Sequence, residues 1–138
     1  MSLMIGLDTN VLVRYLAQDE PRQAAAATRL IEKELSVAAP GFISLLVLAE
    51  LCWVLKRLYS ATPAELKTTV EDLLRTPQLQ LERREIVRAA LGSEKAGKGA
   101  KTGFVDALIA QVARAEGCER TVTFDKTAMR EAGMVLLA

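Results

Sequence analysis

The chain of 138 residues contains no histidine and only two cysteines. The absence of histidine excludes serine and cysteine nucleophiles activated by imidazole, histidine general bases, and zinc sites that need a histidine ligand. Cys52 and Cys118 lie far apart in the sequence and form no CxxC motif. We therefore predict two reduced thiols that pack as small hydrophobic side chains.

Net charge and long apolar runs are also scarce. The 18 basic and 17 acidic residues leave a formal charge of +1, so any contact with nucleic acid must come from local clusters of basic residues. The longest apolar run, Phe42 to Leu55, is interrupted by Glu50 and is shorter than the ~18–20 residues of a membrane-spanning helix. The N-terminus does not resemble a signal peptide, and we expect a cytoplasmic protein.

Short apolar runs alternate with longer helical patterns along the chain. This alternation predicts an α/β fold in which helices cover both faces of a mostly parallel sheet. No linker, repeat or low-complexity tract divides the sequence, so we predict one domain over residues 1–138. The predicted strands are 4–7, a weak 35–38, 78–81, 120–124 and 134–137, and the predicted helices are about 10–17, 22–35, 44–59, 63–75, 84–96, 103–116 and 126–132.

Several helix boundaries carry their usual signals. Pro21 and Pro63 stand near predicted helix starts, Thr62 is a suitable N-cap, and Gly117 is suited to end a helix. In parallel α/β sheets, ligands bind beyond the carboxyl ends of the strands. Residues that directly follow a predicted strand are therefore candidates for a functional site.

Two aspartates follow predicted strands directly. Asp8 comes after the first strand, and Asp125 comes after the strand 120–124. Each can equally serve as the N-cap of the helix that follows, because aspartate is a favoured capping residue. Both would lie at the same edge of a parallel sheet.

Two further acids lie in apolar helices. Glu50 is too far from the start of its helix for a capping box, and its neighbours are so apolar that we expect it to be buried. A buried carboxylate must pair with a cation such as Arg14 or Arg114, or else coordinate a metal. Asp106 lies in the first turn of its helix, where an acid also suits the helix dipole.

Taken together, the four acids predict a metal site. Carboxylates that lie close together cannot all stay ionised without a counter-charge, and Mg²⁺ or Mn²⁺ binds to such oxygen ligands. Because the chain has no histidine, water must be activated by the metal or by a carboxylate. Metal-assisted hydrolysis of a phosphodiester is the reaction that fits this set of residues.

Four motifs around these acids carry a resemblance to a known family. They are Leu-Asp-Thr-Asn-Val-Leu at 7–12, Val-Leu-Ala-Glu-Leu at 47–51, Gly-Phe-Val-Asp-Ala-Leu-Ile-Ala at 103–110 and Thr-Val-Thr-Phe-Asp at 121–125. In this order and spacing, the chain resembles PIN-domain ribonucleases, and in particular the VapC-type toxins of bacterial and archaeal toxin–antitoxin modules. Each motif is weak alone, but four in order are specific.

The resemblance implies a three-layer α/β/α sandwich with a mostly parallel four- to five-stranded sheet. It implies a pocket that binds Mg²⁺ or Mn²⁺, in which a metal-bound water attacks the RNA phosphodiester, and it implies a homodimer and a cognate antitoxin whose arginine-bearing tail blocks the acidic site. The acidic quartet that it assigns as catalytic residues and metal ligands is Asp8, Glu50, Asp106 and Asp125, and the supporting polar residues are Thr9, Asn10 and Thr123. Where the family commonly has an aromatic-containing pair after the last acid, this chain has Lys126-Thr127, which leaves the role of Asp125 open.

RNA must be brought to an acidic pocket by basic groups around it. The segment 92–103 is rich in lysine and glycine and is either such a group or a solvated loop. Aromatic residues make up only 4% of the chain, so we expect base stacking to be a minor part of recognition and favour an RNA read by shape. The RNA-binding candidates are Arg14, Lys95, Lys98, Lys101 and Lys126.

The sequence also allows other interpretations. The segment 97–103 lacks the glycine spacing of a P-loop and of a dinucleotide-binding loop, so both are rejected. A small-phosphoester hydrolase or a catalytically silent PIN-like binding module stays open. The small or apolar faces of helices 23–31 and 66–74 either pack in the core or contact a partner.

Overall fold

The computed structural model describes residues 3–93 and 103–138. Within these ranges, short strands alternate with helices, as expected for an α/β protein. The elements are β1 Ile5–Gly6, α1 Thr9–Ala17, α2 Pro21–Arg29, a π-helical turn Leu30–Glu34, β2 Gly41–Ile43, α3 Leu45–Tyr59, α4 Pro63–Arg75, β3 Leu79–Leu81, α5 Arg84–Ser93, α6 Phe104–Ala115, β4 Val122–Thr123, α7 Lys126–Ala132 and β5 Val135–Leu136.

The chain forms two compact units. The first unit comprises Met1–Ala61 and Thr69–Glu82, and the second comprises Thr62–Thr68 and Arg83–Ala138. The boundary between them falls inside α4, so the sequence of one helix contributes to both units. A single domain over 1–138 stays a prediction.

All the strand pairs among the described residues are parallel. In the first unit, the strand order is β1-β2-β3, with Ile5 opposite Gly41 and Gly41 opposite Leu79. In the second unit, β4 pairs with β5, with Val122 opposite Val135. The predicted parallel α/β class is confirmed, although the five strands form a three-stranded and a two-stranded sheet.

The weak strand predicted at 35–38 is wrong, and the second strand is β2. Ser36 closes a local turn instead: its N–H donates to the Ala39 carbonyl at 3.2 Å, and its hydroxyl accepts from the Ala39 N–H at 3.0 Å. Val37 in this turn is 73% exposed. The segment therefore forms a turn instead of the predicted strand, because the Ser36 side chain offers the backbone a local hydrogen bond.

Gly41 is the first residue of β2, and its neighbours leave no room for a side chain. A Cβ atom at this position would lie 2.8 Å from both Leu35 Cδ1 and Leu7 Cδ1. The sequence pattern did not reveal this strand, because only Ser44 separates Phe42 and Ile43 from the apolar residues of α3.

The predicted helix boundaries are largely confirmed. Pro21 and Pro63 are the first residues of α2 and α4. Thr62 and Glu65 form a reciprocal capping box, in which each side chain accepts from the other's backbone N–H. Gly117 follows the end of α6 with a φ of 96°, which is a left-handed conformation suited to glycine.

Helices α3 and α4 differ in the faces that they expose. On α3, Leu48, Leu51 and Cys52 are buried, whereas Leu46 and Trp53 are 81% and 60% exposed. The expectation that this helix is buried on all sides is therefore wrong. The apolar face of α4 is entirely buried, which rules it out as a partner surface; its members are Leu66, Val70, Leu73 and Leu74.

Neither cysteine forms a disulfide. Cys52 is buried, as predicted, whereas Cys118 is exposed, so the prediction that Cys118 packs as a small hydrophobic side chain is wrong. Among the helices of the described residues, none is both long and apolar enough to cross a bilayer.

Candidate active site

Asp8 lies at the junction between β1 and α1. It is the N-cap of α1, with extended backbone angles, and its Oδ1 accepts a hydrogen bond from the Thr9 N–H at 2.8 Å. The capping role proposed from the sequence is therefore present. The side chain is otherwise exposed, so capping does not use up its capacity to bind a ligand.

Thr9 is the residue that joins two of the predicted acids. It is only 3% exposed, and its hydroxyl donates to Glu50 Oε1 across 41 sequence positions. Its backbone N–H donates to Asp8. One buried threonine thus holds a carboxylate from the end of β1 and a carboxylate from α3.

The prediction that Glu50 is buried is wrong. The residue is exposed on α3, because its side chain points away from the face formed by Leu48 and Leu51. It forms no ion pair with any residue in the described part of the chain. Arg14, one of its expected partners, instead pairs with Asp19.

Arg14 is held by two residues that the sequence analysis did not identify. Its guanidinium donates to Asp19 Oδ1 at 3.2 Å and to Gln23 Oε1 at 2.8 Å. Gln18 ends α1 in a left-handed conformation (φ 55°), and this turn brings Asp19 back to Arg14. No spacing rule signals such a contact. Arg14 lines a groove of about 470 Å³ together with Asn10, Val11, Gln23, Ala26, Ala27 and Leu30.

In the second unit, Asp106 lies in the first turn of α6, which has Gly103 as its N-cap. The residue is half-buried, between the buried Phe104 and Ala107. An acid at this position is favoured by the partial positive charge of the helix N-terminus. Burial of its neighbours fixes α6 and thereby the position of the carboxylate.

Asp125 lies at the junction between β4 and α7. It is the N-cap of α7, and its Oδ1 accepts from the Thr127 N–H at 2.8 Å. The Thr123 hydroxyl accepts from the Asp125 N–H at 3.0 Å. Lys126, the first residue of α7, is exposed. All these contacts join residues that are at most two positions apart.

A PIN domain family profile matches residues 5–133. The chain belongs to the PIN-domain family. PIN domains are in general metal-dependent nucleases that act on nucleic acid. A search of curated proteins returns no similar sequence.

The structure of this PIN domain brings together some of the predicted residues within each unit. Asp8, Thr9, Asn10 and Glu50 belong to the first unit, and Asp106, Thr123 and Asp125 to the second. Among the described residues, Asp8 follows a strand of the three-stranded sheet and Asp125 follows a strand of the two-stranded sheet, and not strands of one sheet as expected. Within the described residues of either unit, no three Asp, Glu, Cys or His side chains form a group that could hold a metal ion.

The donor atoms nevertheless have the chemistry that a hard divalent cation requires. Asp8 and Glu50 are exposed and have no cationic partner among the described residues, and the Thr9 contacts engage one oxygen of each. The PIN domain therefore offers carboxylate oxygens of the kind that bind Mg²⁺ or Mn²⁺. Lys95, Lys98 and Lys101 lie outside the described residues.

Proposed function

We propose that this PIN domain is an endoribonuclease that depends on Mg²⁺ or Mn²⁺ and hydrolyses RNA phosphodiesters. The observation that supports the proposal most is the Thr9 contact, which ties the acids of two separate motifs, Asp8 and Glu50, to one buried residue. A buried residue that donates its hydroxyl to one exposed carboxylate and its backbone N–H to another does little for the core. It does constrain the two acids, and metal sites need ligands constrained in this way.

In this proposal, Asp8 and Asp106 are the main ligands of the cation, Glu50 supports them, and Asp125 completes the set. When bound, the cation supplies charge stabilisation for the phosphoryl group and lowers the pKa of coordinated water. Thr9, Asn10 and Thr123 orient the acids. Thr9 does so through its two donors, and Thr123 does so through its contact with the backbone of Asp125.

Charge must also be arranged for the RNA itself. Arg14 keeps a fixed direction because Asp19 and Gln23 hold its guanidinium, and a pre-positioned arginine loses less side-chain entropy on binding phosphate. Asp19 offsets part of its charge, so we assign Arg14 a positioning contact. Lys126 is exposed at the start of α7 and is the other described candidate for a phosphate contact.

We further propose that the protein is the toxin of a VapBC-type module, a homodimer with a cognate antitoxin. The support is the order and spacing of the four motifs, which resemble VapC-type toxins. Induced expression should then arrest growth, and the arrest should be absent with Asp8→Asn. Growth arrest that persists in Asp8→Asn would contradict a toxin that acts by RNA cleavage.

The decisive experiment for the activity is RNA cleavage by the purified chain. Labelled structured RNAs are incubated with Mg²⁺ or Mn²⁺, with EDTA, and with the variant Asp8→Asn. Asp72→Asn is the matched control, because Asp72 is an exposed aspartate whose side chain pairs with Arg75 on α4. We expect metal-dependent cleavage by the parent and by Asp72→Asn, and none by Asp8→Asn.

Two outcomes would overturn this proposal. Release of phosphate from nucleotides without cleavage of any RNA would favour a small-phosphoester hydrolase. Absence of both metal binding, measured by calorimetry, and RNA cleavage would favour a catalytically silent binding module.

A further inference from the structure

Helix α3 carries an exposed stripe formed by Leu46, Glu50, Trp53 and Arg57, hereafter the α3 stripe. At 3.6 residues per turn, these four positions fall within an arc of about 60° on the helix surface. All four are exposed. The opposite side of the helix is buried and carries Leu48, Leu51, Cys52 and Leu55, so core packing explains none of the four.

Trp53 is the only tryptophan of the chain, and it is 60% exposed. It follows Glu50 by three residues, which places the two side chains on neighbouring turns, about 4.5 Å apart along the helix axis. Leaving so large an apolar ring in water forgoes the stabilisation that burial would give. Because the ring lies next to Glu50, a proposed metal ligand, it is placed to contact a bound substrate.

A cation lies over this ring. The guanidinium carbon of Arg57 is 6.0 Å from the centroid of the indole, which is a cation–π arrangement. Along the helix, the α3 stripe therefore presents a carboxylate, an aromatic ring and a positive charge in succession. That order matches a nucleotide chain whose scissile phosphate lies at the acids, with the next base on the ring and its phosphate near the cation.

We propose that Trp53 stacks on a base of the RNA substrate adjacent to the cleaved phosphate, and that Arg57 supports the ring and contacts the backbone. This inference rests on the proposed ribonuclease function and adds a binding residue to it. Base stacking was expected to be a minor part of RNA recognition, and the inference limits it to one base on one ring.

A second protein is a poorer occupant for this stripe. Leu46 and Trp53 together offer at most a few hundred Å² of apolar surface, whereas a stable interface buries about 800 Å² on each partner. Docking there would also desolvate Glu50, which has no cationic partner among the described residues to compensate for the loss of water. A single unstacked base covers only the ring.

The test uses the full chain with Asp8→Asn, so that the RNA stays intact. A short single-stranded oligoadenylate is titrated while the fluorescence of the sole tryptophan is recorded, with polyphosphate as a polyanion that has no bases. We expect saturable quenching by the oligoadenylate and little change with polyphosphate. Equal quenching by both would overturn base stacking.

Variants at position 53 then measure the contribution of the ring. In the Asp8→Asn background, Trp53→Ala should weaken binding of labelled oligoadenylate by about 5- to 150-fold, the range for loss of one stacked base. Trp53→Phe should retain most of the affinity. The control is Leu58→Ala, which removes another exposed leucine of α3 on a different face. With active enzyme, Trp53→Ala should raise KM and leave kcat nearly unchanged.

The outcomes separate this inference from the proposed function. If RNA is bound and cleaved but Trp53→Ala binds as tightly as the parent, stacking is wrong and the ribonuclease proposal stands. If the parent neither binds nor cleaves RNA, both are wrong. If the tryptophan signal changes with protein concentration alone, and Leu46→Ala abolishes that change, the α3 stripe is a protein interface and the stacking proposal fails.

Discussion

The two compact units hold the acidic residues of the candidate site by different kinds of contact. In the first unit, Asp8 and Glu50 come from segments far apart in the sequence and meet at Thr9, whose contact with Glu50 spans 41 positions. In the second unit, two hydrogen bonds join Asp125 to Thr123 and Thr127, two positions away on either side. One pair of acids depends on helix packing, and the other acid depends on a local turn and cap.

This difference indicates how each part of the candidate site responds to mutation. A contact made by packing, such as the one between the Thr9 hydroxyl and Glu50, fails when either helix shifts, and its loss releases Glu50. A cap is a property of one helix end, so its loss affects mainly that helix. Mutations in the two units should therefore separate effects on activity from effects on stability.

The largest expected effect is the loss of cleavage in Asp8→Asn and in Asp106→Asn. Each removes a proposed metal ligand, one from each unit, and should lower kcat/KM by about 100-fold or more, since metal assistance is worth several kcal/mol. Both variants should fold, as judged by circular dichroism. Full activity in both variants would contradict the assignment of the site and would mean that the acids of the two units do not serve one reaction.

Removal of the Thr9 hydroxyl should have the next largest effect. Thr9→Val keeps the shape of the side chain but leaves Glu50 without its donor, and we expect metal affinity or kcat/KM to fall by about 10- to 100-fold. Thr9→Ser retains the hydroxyl and is the matched control. Calorimetric metal titrations and RNA cleavage measure the change. Wild-type values in Thr9→Val would mean that the long-range contact serves only folding.

Asp125 allows capping and ligation to be separated in the second unit. Asp125→Asn keeps a good N-cap without the charge, whereas Asp125→Ala removes both and should destabilise the protein by about 0.5–2 kcal/mol in urea unfolding. If Asp125 is a ligand, both variants should lose cleavage several-fold at a temperature where both are folded. Unchanged cleavage in folded Asp125→Asn would reduce its role to capping.

The smallest expected effects concern two exposed acids whose pKa values are lowered in different ways. The hydrogen bond from Tyr59, 40 positions away, holds the pKa of Asp19 below its usual value of 3.8, with a further contribution from Arg14. The Thr62 backbone N–H lowers the pKa of Glu65 below 4.5. A lowered pKa stabilises the fold above the usual value, and this contribution disappears as pH falls through the folded value.

Tyr59→Phe should therefore raise the pKa of Asp19 towards 3.8, followed by NMR titration of the carboxyl carbons. Thr62→Ala should shift Glu65 only slightly, because the backbone donor stays in place and the hydroxyl contributes the smaller part. A large shift of Glu65 and none of Asp19 would reverse the distinction between long-range and local contacts.

Much of the fold could be predicted from residue patterns because those patterns act locally. Pro21, Pro63, Thr62 and Gly117 determine helix ends through backbone geometry and nearby donors, and these predictions are confirmed. The same holds for the caps at Asp8 and Asp125. The weak strand at 35–38 failed because a serine turn competes for the same backbone groups, and β2 depends on the fit of Gly41 between Leu7 and Leu35.

The family could be predicted from the order and spacing of short motifs in the sequence, and the match over residues 5–133 confirms it. The assignment of the four acids as metal ligands stays a prediction. The surroundings of those acids were decided by packing. Only tertiary structure turned Glu50 outward, placed the buried hydroxyl of Thr9 against it and left Trp53 in water. Each depends on which face of a helix meets the core, and an almost wholly apolar helix such as α3 carries too little periodic contrast to specify that face in advance.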